Sequence, residues 1–414
     1  MQYGCIAEHL GHSFSAEIHA ALADYRYELC EVAPSDLDAF LTERNFCGIN
    51  VTIPYKEKVI PYLSYIDAQA KEIGAVNTIV NRDGRLYGYN TDFYGLRSML
   101  EHMELSLTAK KVAVLGSGGT SRTARAVAVD MGAGQVLCVS RSPKNGEISY
   151  DTLYHEHSDV QMIINTTPCG MFPNPDTAAV DVKRFSKLEG VADAVFNPLR
   201  SRLVIEARSL GIKAAGGLFM LVAQAVRASE LFLNKVYPQG VIEQIYNQLL
   251  RQKENVVLIG MPGSGKSTVG KILAKTLGRE FCDMDDVIQA SIDRPVSEYL
   301  ATYGEPAFRD LETRVLKEQI AQRTSCVIAT GGGAILRDEN VSSLLRNGRL
   351  YFLDRPLNEI QPTEDRPLSS NREALKRRYE ERYGRYCVVA DVRIDVLGTP
   401  QEVAAEIGKD YQNL

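Results

Sequence analysis

The sequence predicts an α/β protein built on parallel sheets, with more than one domain. Three observations predict it. Short β-branched runs alternate with helix-like stretches. Two unrelated glycine-rich turns, GSGGTSRTA at 116–124 and GMPGSGKST at 260–268, each follow such a run and open a helix. The length, 414 residues, exceeds what one core ordinarily fills, at roughly 100–200 residues per domain.

The elements follow in order. Residues 1–105 hold strand candidates in CGINVTI and AVNTIV. Residues 106–216 carry KKVAVLG, QVLCVSR, QMIINTT and VADAVFN as buried strands, with GGTSRTARAVAVDMGA as the helix between the first two. That pattern is a Rossmann-like nucleotide-binding domain. The Ala- and Leu-rich stretch 217–250 reads as helical, broken at Pro238 and Gly240. RQKEN, 251–255, is short and polar and is the expected linker. From 256 to 414 a second α/β pattern starts with NVVLI and a helix running to about Leu277.

Composition excludes several function classes. Net charge is −5, and Lys plus Arg number 23 against 27 Asp plus Glu before residue 250. Neither half has the basic balance of a nucleic-acid binder. The eight cysteines form no C-x-x-C pair, which argues against a zinc site or redox dithiol and for buried thiols in a reducing compartment. No apolar run approaches the roughly 20 residues that span a bilayer, and the start lacks a signal-peptide pattern. The expected location is the cytoplasm, with no membrane partner.

The glycine turns carry nucleotide chemistry. Gly116, Ser117, Gly118 and Gly119 permit a tight turn and close approach of a pyrophosphate to a helix N-terminus. The end of the next strand offers no acid for a ribose 2′-hydroxyl. It offers Ser140, Arg141, Ser142 and Lys144, which suit a 2′-phosphate and favour NADP(H) over NAD. Gly260 to Ser267 fits G-x-x-x-x-G-K-[ST]. Backbone N–H groups of Gly263, Ser264, Gly265 and Thr268 would cradle the phosphates of ATP. Lys266 would reach the β- and γ-phosphates, and Ser267 would ligate Mg²⁺.

Three polar clusters precede the first turn: GHSFSAEIH, INVTIPYKEKV and GAVNTIVNRDGRLYGYNTDFYG. Short hydrogen-bonding side chains at strand ends suit a polyhydroxylated ligand. Ser13-x-Ser15, Asn50-Val51-Thr52-x-Pro54-x-Lys56, Ala75-Val76-Asn77-Thr78, Asn90-Thr91-Asp92, Asn165-x-Thr167 with Gly170-Met171, and Met220-Leu221-x-x-Gln224 together resemble shikimate dehydrogenase over residues 1 to about 250. The resemblance implies NADPH-dependent reduction of 3-dehydroshikimate to shikimate. It makes 1–105 with 217–250 the substrate-binding domain and 106–216 the NADP domain. It makes Lys56 and Asp92 the catalytic pair, and gives Ser13, Ser15, Thr52, Asn77, Asp92 and Gln224 to the substrate. Thr166 and Gly217 go to the cofactor. The chemistry agrees, because the carbonyl oxygen gains charge as hydride arrives and needs a nearby ammonium. Asp92 also reads as a helix N-cap. Ala16, Ala20, the serines flanking Arg141, and Phe196 depart from the family pattern.

The second turn is followed in order by FCDMDDVI, GEPAFRDLE, ATGGGAIL, EDRPL and RYGRY. The set resembles shikimate kinase over 255–414, with an NMP-kinase-like P-loop fold. It implies phosphorylation of shikimate to shikimate 3-phosphate. Asp283 would sit near Mg²⁺. Asp285 would bind ring hydroxyls and take a proton. Arg309 and Arg382 would grip the carboxylate, with Glu312 orienting Arg309. Gly331, Gly332 and Gly333 would present backbone amides, and Arg366 would come from a closing lid. Gln289 departs from the pattern, and the 366–382 segment is short. The partners expected are these small molecules, on a monomer or homodimer. Rival readings are a quinate enzyme in front, a different hydroxy-acid or nucleotide acceptor behind, or a ligand sensor without turnover.

Overall fold

The computed structural model describes residues 1–10, 14–360 and 372–413. Ser13 and Arg366 lie outside the described residues. The chain divides into two compact units, Met1–Gln248 and Leu249–Leu414.

The first unit contains two sheets. The first sheet has six strands in the order Tyr27–Glu31, Tyr3–Ala7, Gly48–Val51, Thr78–Arg82, Arg85–Tyr89 and Tyr65–Ile66. The first three are parallel; Thr78–Arg82 runs antiparallel to Gly48–Val51 and pairs with Arg85–Tyr89 as a hairpin. That hairpin turns on Asp83 and Gly84, both with positive φ, as a two-residue Asp-Gly turn requires.

The second sheet is parallel throughout. Its order is Lys213–Ala215, Gly190–Asp193, Met162–Asn165, Lys111–Leu115, Gln135–Val139. The direction of winding reverses between Lys111–Leu115 and Met162–Asn165. A crevice outside the carboxyl ends of strands at such a point is where open α/β sheets bind ligands. The core strands expected from VAVL, VLCV and MIIN are present and buried on both faces.

The 217–250 stretch forms two helices, Leu218–Leu233 and Val241–Lys253, parted at Pro238 and Gly240. The linker expected at 251–255 takes another form. Residues 251–253 finish a helix, Glu254 is buried, and Asn255 begins a strand. The polar groups serve the packing. Asn255 donates to the Arg323 carbonyl (2.8 Å) and accepts from Cys326 N–H (2.9 Å), and Arg279 donates to the Glu254 carbonyl (2.8 Å).

The second unit is one parallel sheet, in the order Glu280–Asp283, Cys326–Ala329, Asn255–Ile259, Gly348–Asp354, Val392–Asp395. Val257, Ile259 and Phe352 face one core, and Val256, Leu258 and Tyr351 the other. A strand buried on both faces reads as a continuous apolar run, which is why NVVLI was legible. The helix Val296–Val315 breaks at Gly304 (φ 80°), ahead of Pro306. All eight cysteines are free. Cys5, Cys138, Cys282 and Cys326 are buried as expected, whereas Cys47 and Cys387 are exposed. Among the described residues no helix is long and apolar enough to cross a membrane.

Candidate active sites

In the first unit Lys56 lies in the loop after Gly48–Val51, and Asp92 in the first turn of the helix Thr91–His102. Lys56 Nζ donates to Asp92 Oδ2 at 2.6 Å. Asn77 Nδ2 donates to Asp92 Oδ1 at 2.7 Å, while Asn77 Oδ1 accepts from Thr91 N–H at 2.7 Å. Both carboxylate oxygens are therefore held, and both side chains are mostly buried. The N-cap is Asn90 rather than Asp92: its side chain accepts from Phe93 N–H at 3.1 Å. That leaves the Asp92 carboxylate to Lys56 and Asn77.

Thr52 follows the same strand end, with its N–H on the Ile6 carbonyl (3.1 Å). Ser15 opens the helix Ser15–Leu22, and the preceding Phe14 packs edge-on against Phe196, centroids 5.6 Å apart. Gln224 lies on Leu218–Leu233; its Oε1 is buried and, among the described residues, without a hydrogen-bond partner. Such an orphan acceptor is costly unless a ligand completes it.

The glycine turn stands at the crevice. Gly116 has φ 112°, and a Cβ there would come 2.7 Å from Thr166 Oγ1. Gly118 is different: its φ is ordinary, and a Cβ would meet nothing within 4 Å. The space before it is open. A Cβ on Gly119 would meet only Lys56 Cδ, at 3.9 Å. The turn and Lys56 thus border one space. Ser117 is exposed in the turn and Arg141 at the end of the adjacent strand, while Ser140 is buried with its Oγ on Ser142 N–H (3.3 Å). Gly217 is buried and donates its N–H to the Val195 carbonyl (2.8 Å).

Three residues act as supports here: Asn50 and Asn90, which the sequence motifs include without a role, and Asp193, which they do not include. Asn50 accepts from Tyr27 OH (2.7 Å) and donates to Thr78 Oγ1 (3.0 Å), joining two strands under the pocket. Asn90 holds the start of the Asp92 helix. Asp193, wholly buried, accepts from Asn165 Nδ2 (2.8 Å), Val195 N–H (3.0 Å) and Ser201 Oγ (2.5 Å). Burial pushes its carboxyl up to about 6 against those three hydrogen bonds. Its only sequence signal was an acid inside an apolar strand, VADAV.

In the second unit the site residues gather at carboxyl ends of strands. Gly263 and Gly265 have φ 84° and 97°, left-handed values that shape the loop. Lys266, buried, donates to the carbonyls of Gly260 (2.8 Å) and Met261 (2.9 Å). Ser264 is buried with its Oγ unpartnered among the described residues, and Thr268 is exposed in the following helix. Ser267 Oγ donates to Asp283 Oδ2 at 2.6 Å, and Asp283 Oδ1 accepts from Asp285 N–H at 3.1 Å.

Glu305, Arg309 and Glu312 share one face of the helix beyond the Gly304 break. Arg309 donates to Glu312 (2.8 Å) and Glu305 (2.9 Å). A Cβ on Gly331 would come 2.9 Å from Asp285 Oδ1 and 3.0 Å from Glu312 Oε1, and a Cβ on Gly333 would strike the Arg309 guanidinium. Gly332 packs on Pro262 of the phosphate loop, and its carbonyl accepts from Arg382 Nη1 (3.0 Å) and Tyr386 OH (2.5 Å). Burial lowers the Arg382 pKa, and repulsion from Arg378 and Arg309 adds to it. Burial raises Glu312 against the pull of Arg309. For Arg309 burial is outweighed by Glu312 and Glu305, so its pKa is raised. Arg309 and Arg382 each keep a buried Nε without a hydrogen-bond partner among the described residues. Gln289 bridges the following turn, to the Arg294 carbonyl (3.0 Å) and Val296 N–H (3.1 Å). Among the described residues no three His, Cys, Asp or Glu side chains converge as a metal site.

Comparison with known proteins covers both units. The family model for the shikimate dehydrogenase substrate binding domain matches residues 5–79, and the shikimate kinase model matches 262–412. Over 266 residues the chain is 39% identical to shikimate dehydrogenase (NADP(+)) of Clostridium perfringens, covering 60% of this chain and 97% of that one. A chorismate mutase/shikimate 5-dehydrogenase fusion protein from Clostridium acetobutylicum is 34% identical, with TM-score 0.56 over 60% of this chain and 96% of that one. Shikimate 5-dehydrogenase from Thermus thermophilus, solved with NADP(H) and shikimate, is 26% identical, with TM-score 0.55 over 60% and 99%. The chain belongs to the shikimate dehydrogenase family and carries a shikimate kinase domain behind it, a fusion of two enzyme domains of one pathway.

Proposed function

We propose that the chain carries out two consecutive reactions, reduction of 3-dehydroshikimate to shikimate with NADPH and phosphorylation of shikimate to shikimate 3-phosphate with ATP. The observation that carries the first is Lys56, 2.6 Å from Asp92 and beside Gly119 of the glycine turn. NADPH supplies the hydride. Lys56 faces the oxygen that gains charge and hands it a proton. Asp92, steadied by Asn77, aims the ammonium. Ser15, Thr52, Asn77 and Gln224 hold the ring hydroxyls and carboxylate, with Ser13 assigned from sequence. The open space at Gly118 fits a pyrophosphate, and Arg141 with Lys144 fits a 2′-phosphate.

The second reaction rests on Arg309 and Arg382, two mostly buried guanidiniums that repel one another and suit a carboxylate between them. Asp285 accepts the proton of the attacking hydroxyl. Lys266 exchanges its loop carbonyls for phosphate oxygens. Ser267 and Asp283 are a pair of hard oxygen donors below the loop, and would hold Mg²⁺ together with phosphates and water. Arg366 is assigned to the lid from sequence alone. The reading places the protein in the cytoplasm as a monomer or homodimer.

The test is one coupled assay on the full chain. Dehydroshikimate, NADPH, ATP and Mg²⁺ are supplied, and NADPH loss and ADP release are followed together. Both signals are expected, with ADP release dependent on NADPH. Turnover of quinate with NAD in place of shikimate with NADP, or ADP release that ignores added shikimate, overturns the assignment.

A further inference from the structure

Asp193 presents a physical problem. A fully buried carboxylate without a cation is costly. Its facing groups are Asn165, the Val195 N–H and Ser201, and none is charged. The Ser201 hydroxyl also accepts from Val204 N–H (3.3 Å) at the start of the helix Arg202–Ser209.

What the carboxylate does is fix an amide. Asn165 Nδ2 is spent on Asp193 Oδ1, so Asn165 Oδ1 points the other way. It accepts from Thr167 N–H (3.1 Å) and Thr167 Oγ1 (2.7 Å). Flipping that amide would set two acceptor oxygens face to face and two donors against each other. One orientation survives. It holds the shelf 165–167, whose Thr166 hydroxyl donates to the Leu115 carbonyl (2.6 Å) beside Gly116. The same Asp193 Oδ1 also accepts Val195 N–H, and the Val195 carbonyl receives Gly217 N–H (2.8 Å). Thr166 and Gly217, two of the cofactor positions beyond the glycine turn, are thus anchored to one buried group.

We propose that Asp193 is a positioning residue for cofactor binding, acting through the amide of Asn165 on the shelf that faces the glycine turn. This rests on the dehydrogenase reading of the first unit. Wild-type full-length chain is therefore titrated first with NADPH by fluorescence; absence of binding sinks that reading before any variant is compared. Asp193→Ala is then expected to raise KM for NADPH about tenfold. KM for dehydroshikimate stays within twofold, kcat within threefold, and kinase turnover is unchanged. Asp193→Asn keeps an acceptor oxygen for Asn165 and Val195 and offers an N–H to Ser201. It is expected to bring KM for NADPH back within threefold of wild type. Asn165→Ala cuts the link while leaving Asp193 two donors, and is expected to match Asp193→Ala should that variant fail to fold. Unchanged KM for NADPH in both alanine variants overturns the proposal. So does a parallel loss of kcat and both KM values that tracks a fall in melting temperature, the mark of a structural role alone.

Discussion

Removing the Lys56 ammonium tests the front site most directly. In Lys56→Ala the proton donor 2.6 Å from Asp92 is gone, while Asn77 still donates to the other carboxylate oxygen at 2.7 Å. A positioned general acid contributes about 10²–10⁴ in rate. At 1.36 kcal/mol per factor of ten, that is about 2.7–5.5 kcal/mol on the barrier. The fold pays less. Breaking a buried pair costs about 3–5 kcal/mol at most. Here the lysine side chain keeps 13% exposure and Asp92 keeps Asn77, so the loss falls below that range. The assay is NADPH consumption with dehydroshikimate, beside ADP release with added shikimate, on one preparation with a measured melting temperature. Reduction is expected to fall at least 100-fold while phosphorylation stays within twofold. Reduction surviving within tenfold, or both activities falling in a protein that melts normally, would refute the two-site reasoning.

Three further outcomes follow from the same geometry. Lys266→Ala is expected to abolish ADP release and spare NADPH consumption, measured on the same preparation. Arg382→Met removes one charged fork from the acceptor carboxylate, a loss of about 1.5–3 kcal/mol. That is roughly 10–150-fold in KM for shikimate; yet it also removes repulsion on Arg309, so the melting temperature is expected to hold. Asp193 makes a pH prediction. Its carboxyl lies at about 6 when folded against 3.8 as reference, so the folded state keeps a proton that the unfolded state releases between those values. Its contribution is full below pH 4 and declines as pH rises through 6, by about 3 kcal/mol at 1.36 kcal/mol per unit. Urea unfolding of wild type and Asp193→Asn at pH 4.5, 5.5 and 7 is expected to show the wild type losing ground at each step.

Much of both candidate sites was legible because the residues proposed to touch phosphates lie close in sequence. A glycine turn and the helix after it are local, so 116–119 and 260–268 could be read from spacing. The polar clusters near 13, 52, 77 and 92 were legible as pieces. That Lys56, Asn77 and Asp92 come together depends on strand order, which no local pattern encodes. The Asp-Gly hairpin at 83–84 was a local signal left unread. The 251–255 run misled because polar composition suggests a loop, and here those groups are consumed by packing. Asp193 and Glu305 were missed because each acts through another side chain, from strand to strand or along a helix face.

The two units solve different charge problems, and their surroundings follow. On the proposed reading, negative charge develops in the front site on one oxygen as hydride arrives, and one ammonium, Lys56, is held against Asp92 to meet it. The other polar groups assigned there, Ser15, Thr52, Asn77 and Gln224, are neutral and are proposed to hold the ring hydroxyls and carboxylate. In the back site the reaction moves a charged phosphoryl group, and the proposed reading brings Lys266 to the phosphates and Arg309 with Arg382 to the acceptor carboxylate. Burial lowers the Arg382 pKa, and the neighbouring Arg378 and Arg309 lower it further. Glu305 and Glu312 stabilise Arg309 in that company, and the glycines at 331 and 333 leave room for the carboxylates and the guanidinium to approach. On the proposed reading, an acid at 305 is therefore as much a part of carboxylate recognition as the arginine it holds. A chain with net charge of −5 can bind two anions because the cations sit where the anions do, inside clefts where the field is least screened.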